Sequence, residues 1–170
     1  MKNFFAVIML LVTPFAYSNP SVFGLTLGQT SEQVLQEKYH ATLSGKNNYS
    51  HGNMYSIPVD EVNFEGVSEI TVIFDKDKKL SAVFVALPKS QFDYTMKILD
   101  KKYKIVRKDI PFVGDKLAIY KNGESEVMLN SPHLSFEALL VYRTNVFINS
   151  IHKIKEHEKQ QKEKNDEALL

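Results

Sequence analysis

The sequence predicts an α+β domain: an antiparallel sheet with helices on one face, built as two similar helix-plus-meander halves and ended by an extended C-terminal helix. Two observations predict it. First, strand-like runs sit beside hairpin signals: the charged tip Asp75-Lys76-Asp77-Lys78-Lys79 and the dipeptide Asn122-Gly123, whose residues both tolerate positive φ. Second, the chain resembles itself. Val34–Tyr39 matches Ile98–Tyr103, Glu61-Val62 matches Glu126-Val127, and Glu69–Phe74 matches Glu137–Tyr142, in chain order and at slowly growing offsets of 64, 65 and 68. The halves span about residues 23–87 and 90–143.

Composition bounds the class. The chain has 170 residues, 44% hydrophobic and 24% charged, which suits one globular domain. It contains no cysteine, which excludes a disulfide framework, a cysteine zinc site, a thiol nucleophile and an acylated lipoprotein anchor. Lys2, the unbroken apolar run Phe4–Val12 and the small-residue stretch Ala16-Tyr17-Ser18 together read as a signal peptide over residues 1–18. Nine apolar residues are too few to span a bilayer, which takes about 20. Removing that segment leaves basic and acidic residues balanced at 20 each, without the cationic surplus of a nucleic-acid binder. The expected product is a periplasmic domain over residues 19–154, with no membrane span, and a charged tail over residues 155–170.

The elements follow in order. Thr30 with Gln33 three residues on forms a capping box for a first helix that ends near Tyr39-His40. Residues 44–53 are polar and turn-rich, a loop. Strands are expected at Met54–Ile57, Glu61–Phe64, Ser68–Phe74 and Leu80–Leu87. Pro88 stops the last of these, and Ser90 caps a second helix to about Lys102, with Phe92, Met96, Leu99 and Tyr103 at helical spacing. Strands resume at Lys104–Ile110, Leu117–Tyr120, Glu126–Leu129 and Phe136–Tyr142. Val146, Phe147, Ile151 and Ile154 open a terminal helix. Residues 155–167 hold no apolar side chain, so they form a solvated helix extension or frayed coil.

The stretch Gly28-x-Thr30-x-x-x-Val34 resembles the helix-opening signature of the SmpA/OmlA-type outer-membrane assembly lipoproteins, and the duplicated helix-plus-meander unit is similar to that of the secreted β-lactamase inhibitory proteins. The chain lacks the acylated cysteine of the first and the disulfides of the second. The resemblance implies an architecture and a protein-binding sheet; it carries over no catalytic residue and no named partner.

Chemistry-bearing motifs are few. His152 and His157 are five residues apart, which places their rings on different sides of a helix; His40, His51 and His133 sit at a helix end or in loops. Asp75-Lys76-Asp77 lacks the glycine of a calcium loop. There is no Gly-x-Ser-x-Gly, no Ser-x-x-Lys and no phosphate-cradling glycine loop. Glu61 and Glu65 form a candidate carboxylate pair, and acids beside turns are ordinarily solvated. The sequence therefore predicts no enzyme, no metal and no cofactor.

What remains is the sheet. Alternation along the strands assigns Ile70, Val72, Phe74, Phe136, Ala138, Leu140 and Tyr142 to the face that takes the helices. Glu69, Thr71, Ile73, Glu137, Leu139, Val141 and Arg143 fall on the opposite face. That face mixes charge with aliphatics, whereas a free sheet face is normally polar. It is a partner surface, or the terminal helix folds back over it. The expected function is an exported module that binds another envelope or secreted protein through this face, as an inhibitor, an immunity factor or an envelope-assembly accessory. The alternatives are a small-molecule or lipid carrier with a pocket lined by Phe74, Phe84 and Phe136, and a hydrolase assembled from distant side chains.

Overall fold

A computed structural model of the chain describes residues 19–169. The expected signal peptide, residues 1–18, lies outside the described residues. Over the described residues the fold is α+β: ten strands and three helices, with eight strands in one antiparallel sheet. A small hairpin of β1 (Ser21–Val22) and β2 (Leu25–Thr26) precedes α1 (Glu32–Lys38). Next come β3 (Thr42–Lys46), β4 (His51–Ser56), β5 (Glu69–Asp75) and β6 (Leu80–Pro88). A second helix, α2 (Phe92–Lys102), leads into β7 (Lys104–Asp109), β8 (Lys116–Asn122), β9 (Ser125–Ser131) and β10 (Glu137–Thr144). The chain closes with α3 (Asn145–Glu167).

The sheet order is β3-β4-β5-β6-β10-β9-β8-β7. Each of α1 and α2 is thus followed by four sequential antiparallel strands, and β6 meets β10 in the middle. The two helices end alike. Tyr39 and Tyr103 leave the helical conformation, and their N–H groups bond the carbonyls of Leu35 and Leu99, each at 2.9 Å.

Helix α1 starts one residue later than the capping box predicts. Ser31, not Thr30, is the cap, its hydroxyl accepting from the Val34 N–H at 3.3 Å. Thr30 is instead buried and accepts from the Thr26 N–H at 2.8 Å, fastening the β2 turn. Ser90 likewise does not cap α2; a 3-10 turn over Lys89–Gln91 feeds that helix directly. Glu61–Phe64 is no strand. Pro58 opens a 3-10 turn over Val59–Glu61, and the Glu61 carboxylate is held by the His40 N–H. Residues 44–53 are not one loop but the end of β3, a turn, and the start of β4. That turn is organised by Asn47, whose side-chain oxygen accepts from the N–H groups of Tyr49 and Ser50. The Asn-Gly hairpin exists with a shifted register. Asn122 pairs with Ser125, so Gly123 and Glu124 are the turn residues, and Gly123 takes the positive φ of 55°.

The main core lies between the sheet and the two helices. Ile70, Val72, Phe74, Ala138, Leu140 and Tyr142 are all buried there, as alternation predicts. Phe136 is the exception at 94% exposed, because the turn over residues 132–135 ends just before β10 begins. Tyr120 is enclosed in the same core and donates to Asp100 Oδ1 at 2.7 Å. Burial, and then Asp100, pushes its hydroxyl well above the usual tyrosine range; burial, and then Tyr103, does the same for Tyr142. The folded chain therefore holds protons that an unfolded one releases near pH 10, so the stability these groups contribute is complete below that pH and is lost above it. In an ultraviolet titration, Tyr120 and Tyr142 will form tyrosinate only together with loss of the native circular dichroism. Complete titration of every tyrosine with the fold intact would contradict this.

Candidate functional site: the second face of the sheet

The cross-strand register lays out the second face in rows. The central row runs Ser56, Thr71, Phe84, Val141, Met128, Ile119, Arg107 from β4 to β7. The row beside it, starting on β5, runs Glu69, Ala86, Leu139, Asn130, Leu117, Asp109. On the other side lie Met54, Ile73, Ala82, Arg143, Glu126 and Lys121. The middle of the face is apolar, and its charged side chains lie at its margins.

Helix α3 covers one corner. Thr144 caps it, accepting from the Phe147 N–H at 3.2 Å, and this turns the chain back over β10 and β6. Phe147 is buried against Ile73 and Ala82, with its ring edge-on to Phe84 at 6.4 Å and to Tyr49 at 6.5 Å. After Ile154 the helix has only exposed side chains as far as Glu167. The helix is about 34 Å long from its 23 residues, and every side chain of its last three turns is exposed. Residues 155–167 are thus helical, and the helix covers the Ile73 corner while Phe84, Ala86, Ile119, Met128 and Leu139 stay half-buried.

Four of the predicted site residues come together. Glu69, Thr71, Ile73 and Leu139 line one shallow groove of about 300 Å³, whose floor is Phe84 and Ala86. Ile73 is only 4% exposed, however, because Phe147 lies over it. Val141 is fully buried between Phe84 and Met128, its neighbours in the row. These two support the surface from beneath. Glu137 is at the rim, accepting from the Ser68 hydroxyl at 2.9 Å. Arg143 does not join the groove. It lies in the row shared with Glu126, donating to Glu126 Oε1 through Nε at 3.0 Å and through Nη2. Thr71 donates to Glu69 Oε1 at 3.1 Å, so the groove's own polar groups are partly paired across its end.

Sequence reasoning missed Phe84, Ala86, Ile119 and Met128 on this face. A bulge explains Phe84: Ile73 pairs with Ala82 but Phe74 with Leu80, so Ser81 is an extra residue in β6 and the alternation restarts after it. Phe74, Phe84 and Phe136 consequently share no pocket. Phe74 is in the main core, Phe84 on the second face, and Phe136 in solvent. Of the candidate carboxylate pair, Glu61 is engaged by His40 through both oxygens, at 2.9 Å to its N–H and 2.8 Å to Nδ1. The His40 N–H holds the Glu61 carboxyl below the usual carboxylate range.

Among the described residues, no three His, Asp or Glu side chains gather closely enough to hold a metal ion. Among the same residues no helix is long and apolar enough to cross a membrane. The chain matches no family model, no curated protein and no solved structure.

Proposed function

We propose that this chain is an exported protein-binding module that docks another envelope or secreted protein on the second face of its sheet. One observation carries the reading. A stripe of Phe84, Met128 and Ile119, flanked by Ala86, Leu139 and Leu117, crosses four strands at half burial, while α3 packs at the corner beside it. A free sheet face that needs only solubility would be polar at these positions. Contiguous apolar surface rimmed by charge is the anatomy of an interface, with desolvated contact at the centre and selectivity from the margin. Leu139, Met128 and Ile119 supply contact area in this reading; Glu69 and Glu137 select partners that bring a base to that end. The leader-like residues 1–18 support export to the periplasm, and N-terminal sequencing of exported protein is expected to begin at Asn19. A helix followed by four strands, twice over, supports the resemblance to the assembly lipoproteins and inhibitory proteins, whose roles frame the inhibitor, immunity and assembly options.

The test compares affinity capture from an envelope extract by the native chain, a Met128→Asp, Leu139→Asp double variant, and a Lys97→Asp control on the helix side. Ile73 is unsuitable, since a carboxylate beneath Phe147 would unfold the corner. The double variant is expected to weaken retention about 30-fold or more, as loss of two central apolar contacts does, with the control unchanged. A folded double variant that retains every partner, or a native chain that captures none, contradicts the proposal.

A further inference from the structure

We propose that the cleft between α2 and the sheet binds one medium-chain carboxylate, its alkyl chain inside and its head group at Lys102. This site is on the opposite side of the sheet from the docking face and does not depend on it. The cleft has a volume of about 180 Å³. Val85 and Leu140 form its floor, Thr95 and Ile98 of α2 one wall, and Phe23 and Phe64 the other. The two phenyl rings meet edge-on at 6.5 Å.

Three features mark it as a site and not a packing fault. Thr95 is 2% exposed, and its hydroxyl has no partner among the described residues, although a buried hydroxyl ordinarily finds one. Phe23 has a φ of 53°, left-handed backbone that glycine or asparagine occupies far more readily than an aromatic residue. The Tyr39 hydroxyl fixes it there, donating to the Phe23 carbonyl at 2.6 Å. Positive φ at both Phe23 and Gly24 is what the two-residue β1–β2 turn requires, and an aromatic residue at its first position, where asparagine or glycine is usual, presents its ring to the cleft. Lastly, Lys102 is the one charged side chain among the described lining residues and is itself exposed, so it stands at the mouth.

Size and charge then name the ligand class. An apolar cavity of about 150 Å³ holds a benzene-sized molecule, so this one takes a chain of about six to eight carbons at interior packing density. A cationic mouth with no acid in the lining favours an anionic head, and a chain of that length with a carboxylate reaches both features.

The experiment is calorimetric titration of the purified protein with straight-chain carboxylates from butanoate to dodecanoate, and with octylamine. Affinity is expected to rise about fourfold per methylene and to level off near octanoate as the cleft fills. Octylamine is expected to bind about threefold more weakly than octanoate, with Lys102→Glu reversing the preference. Ile98→Trp, which fills the cleft, should abolish octanoate binding while circular dichroism stays native. The Leu139→Asp variant should leave it unchanged. The proposal is overturned by absence of saturable octanoate binding at millimolar concentration, or by affinity that keeps climbing through dodecanoate. It is also overturned by octanoate binding that survives both Ile98→Trp and Lys102→Glu, or by binding that Leu139→Asp removes.

Discussion

Phe147→Ala is expected to lower the unfolding free energy by about 3 kcal/mol, near the low end for a buried phenylalanine because the ring's cluster is small. Phe147 is 2% exposed and is the one buried residue of α3, so it is the pin that holds a largely polar helix onto the sheet. Removing it leaves a void against Ile73, Ala82 and Phe84, and no other fully buried α3 side chain remains to keep the helix docked. Denaturant unfolding should show an earlier midpoint. Hydrogen exchange should show α3 amides losing protection while those of β8 and β9 keep theirs. Because Ile73 then becomes solvent-exposed, the variant should also bind a hydrophobic dye. Equal loss of protection across the sheet would contradict the assignment of α3 as a separately anchored cover.

The second large effect concerns Arg143 and Glu126. Glu126 has a side chain only 13% exposed and Arg143 one 23% exposed, and two donors of the guanidinium reach the same oxygen. Removing the arginine strands a mostly buried carboxylate, which costs 3–5 kcal/mol in a fully buried pair. Partial exposure and Lys121 Nζ at 3.9 Å from the other Glu126 oxygen reduce that, so Arg143→Ala is expected to cost about 2 kcal/mol. By contrast, Lys159→Ala on the solvated part of α3 breaks an exposed pair with Glu163 and should cost at most about 0.5 kcal/mol. The double variant Arg143→Leu, Glu126→Leu should recover most of the loss. A cost for Arg143→Ala no larger than that of Lys159→Ala would show that the pair is only a surface contact.

Much of this architecture was legible because local chemistry and tertiary packing agree. The runs Glu69–Phe74 and Glu137–Tyr142 alternate cleanly, so the helix-facing residues of β5 and β10 were readable, and those strands occupy the buried centre of the sheet. Tyr39 and Tyr103 marked both helix ends at matching positions. Errors arose where a single residue resets a pattern. Ser81 shifts the face of Phe84 by a bulge, which periodicity cannot register because the bulged strand still reads as an apolar run. His40 and Pro58 divert Glu61–Phe64 into a turn through a contact 21 residues distant in sequence. The weak strand β3, Thr-Leu-Ser-Gly-Lys, has almost no apolar content because it is an exposed edge.

The second face was only half legible for the same reason. Strand alternation identified Glu69, Thr71 and Leu139, whereas Ile119 and Met128 required knowing that β8 and β9 continue the sheet beyond β10. That Ile73 is covered depends on the Thr144 cap, which directs α3 back across the corner. In the sequence, Phe147 was simply the start of an amphipathic helix.

On this reading the stripe of Phe84, Met128 and Ile119 contacts a partner protein. Site-specific photocrosslinking in intact cells tests it most directly, with the reactive side chain placed in turn at Ile119, Met128 and Leu139, and at Val34 and Lys97 on the helix side. One discrete crosslinked species is expected from the three sheet positions and none from the two helix positions. Crosslinks from Val34 or Lys97 alone, or none from any sheet position in a folded and exported chain, would contradict it.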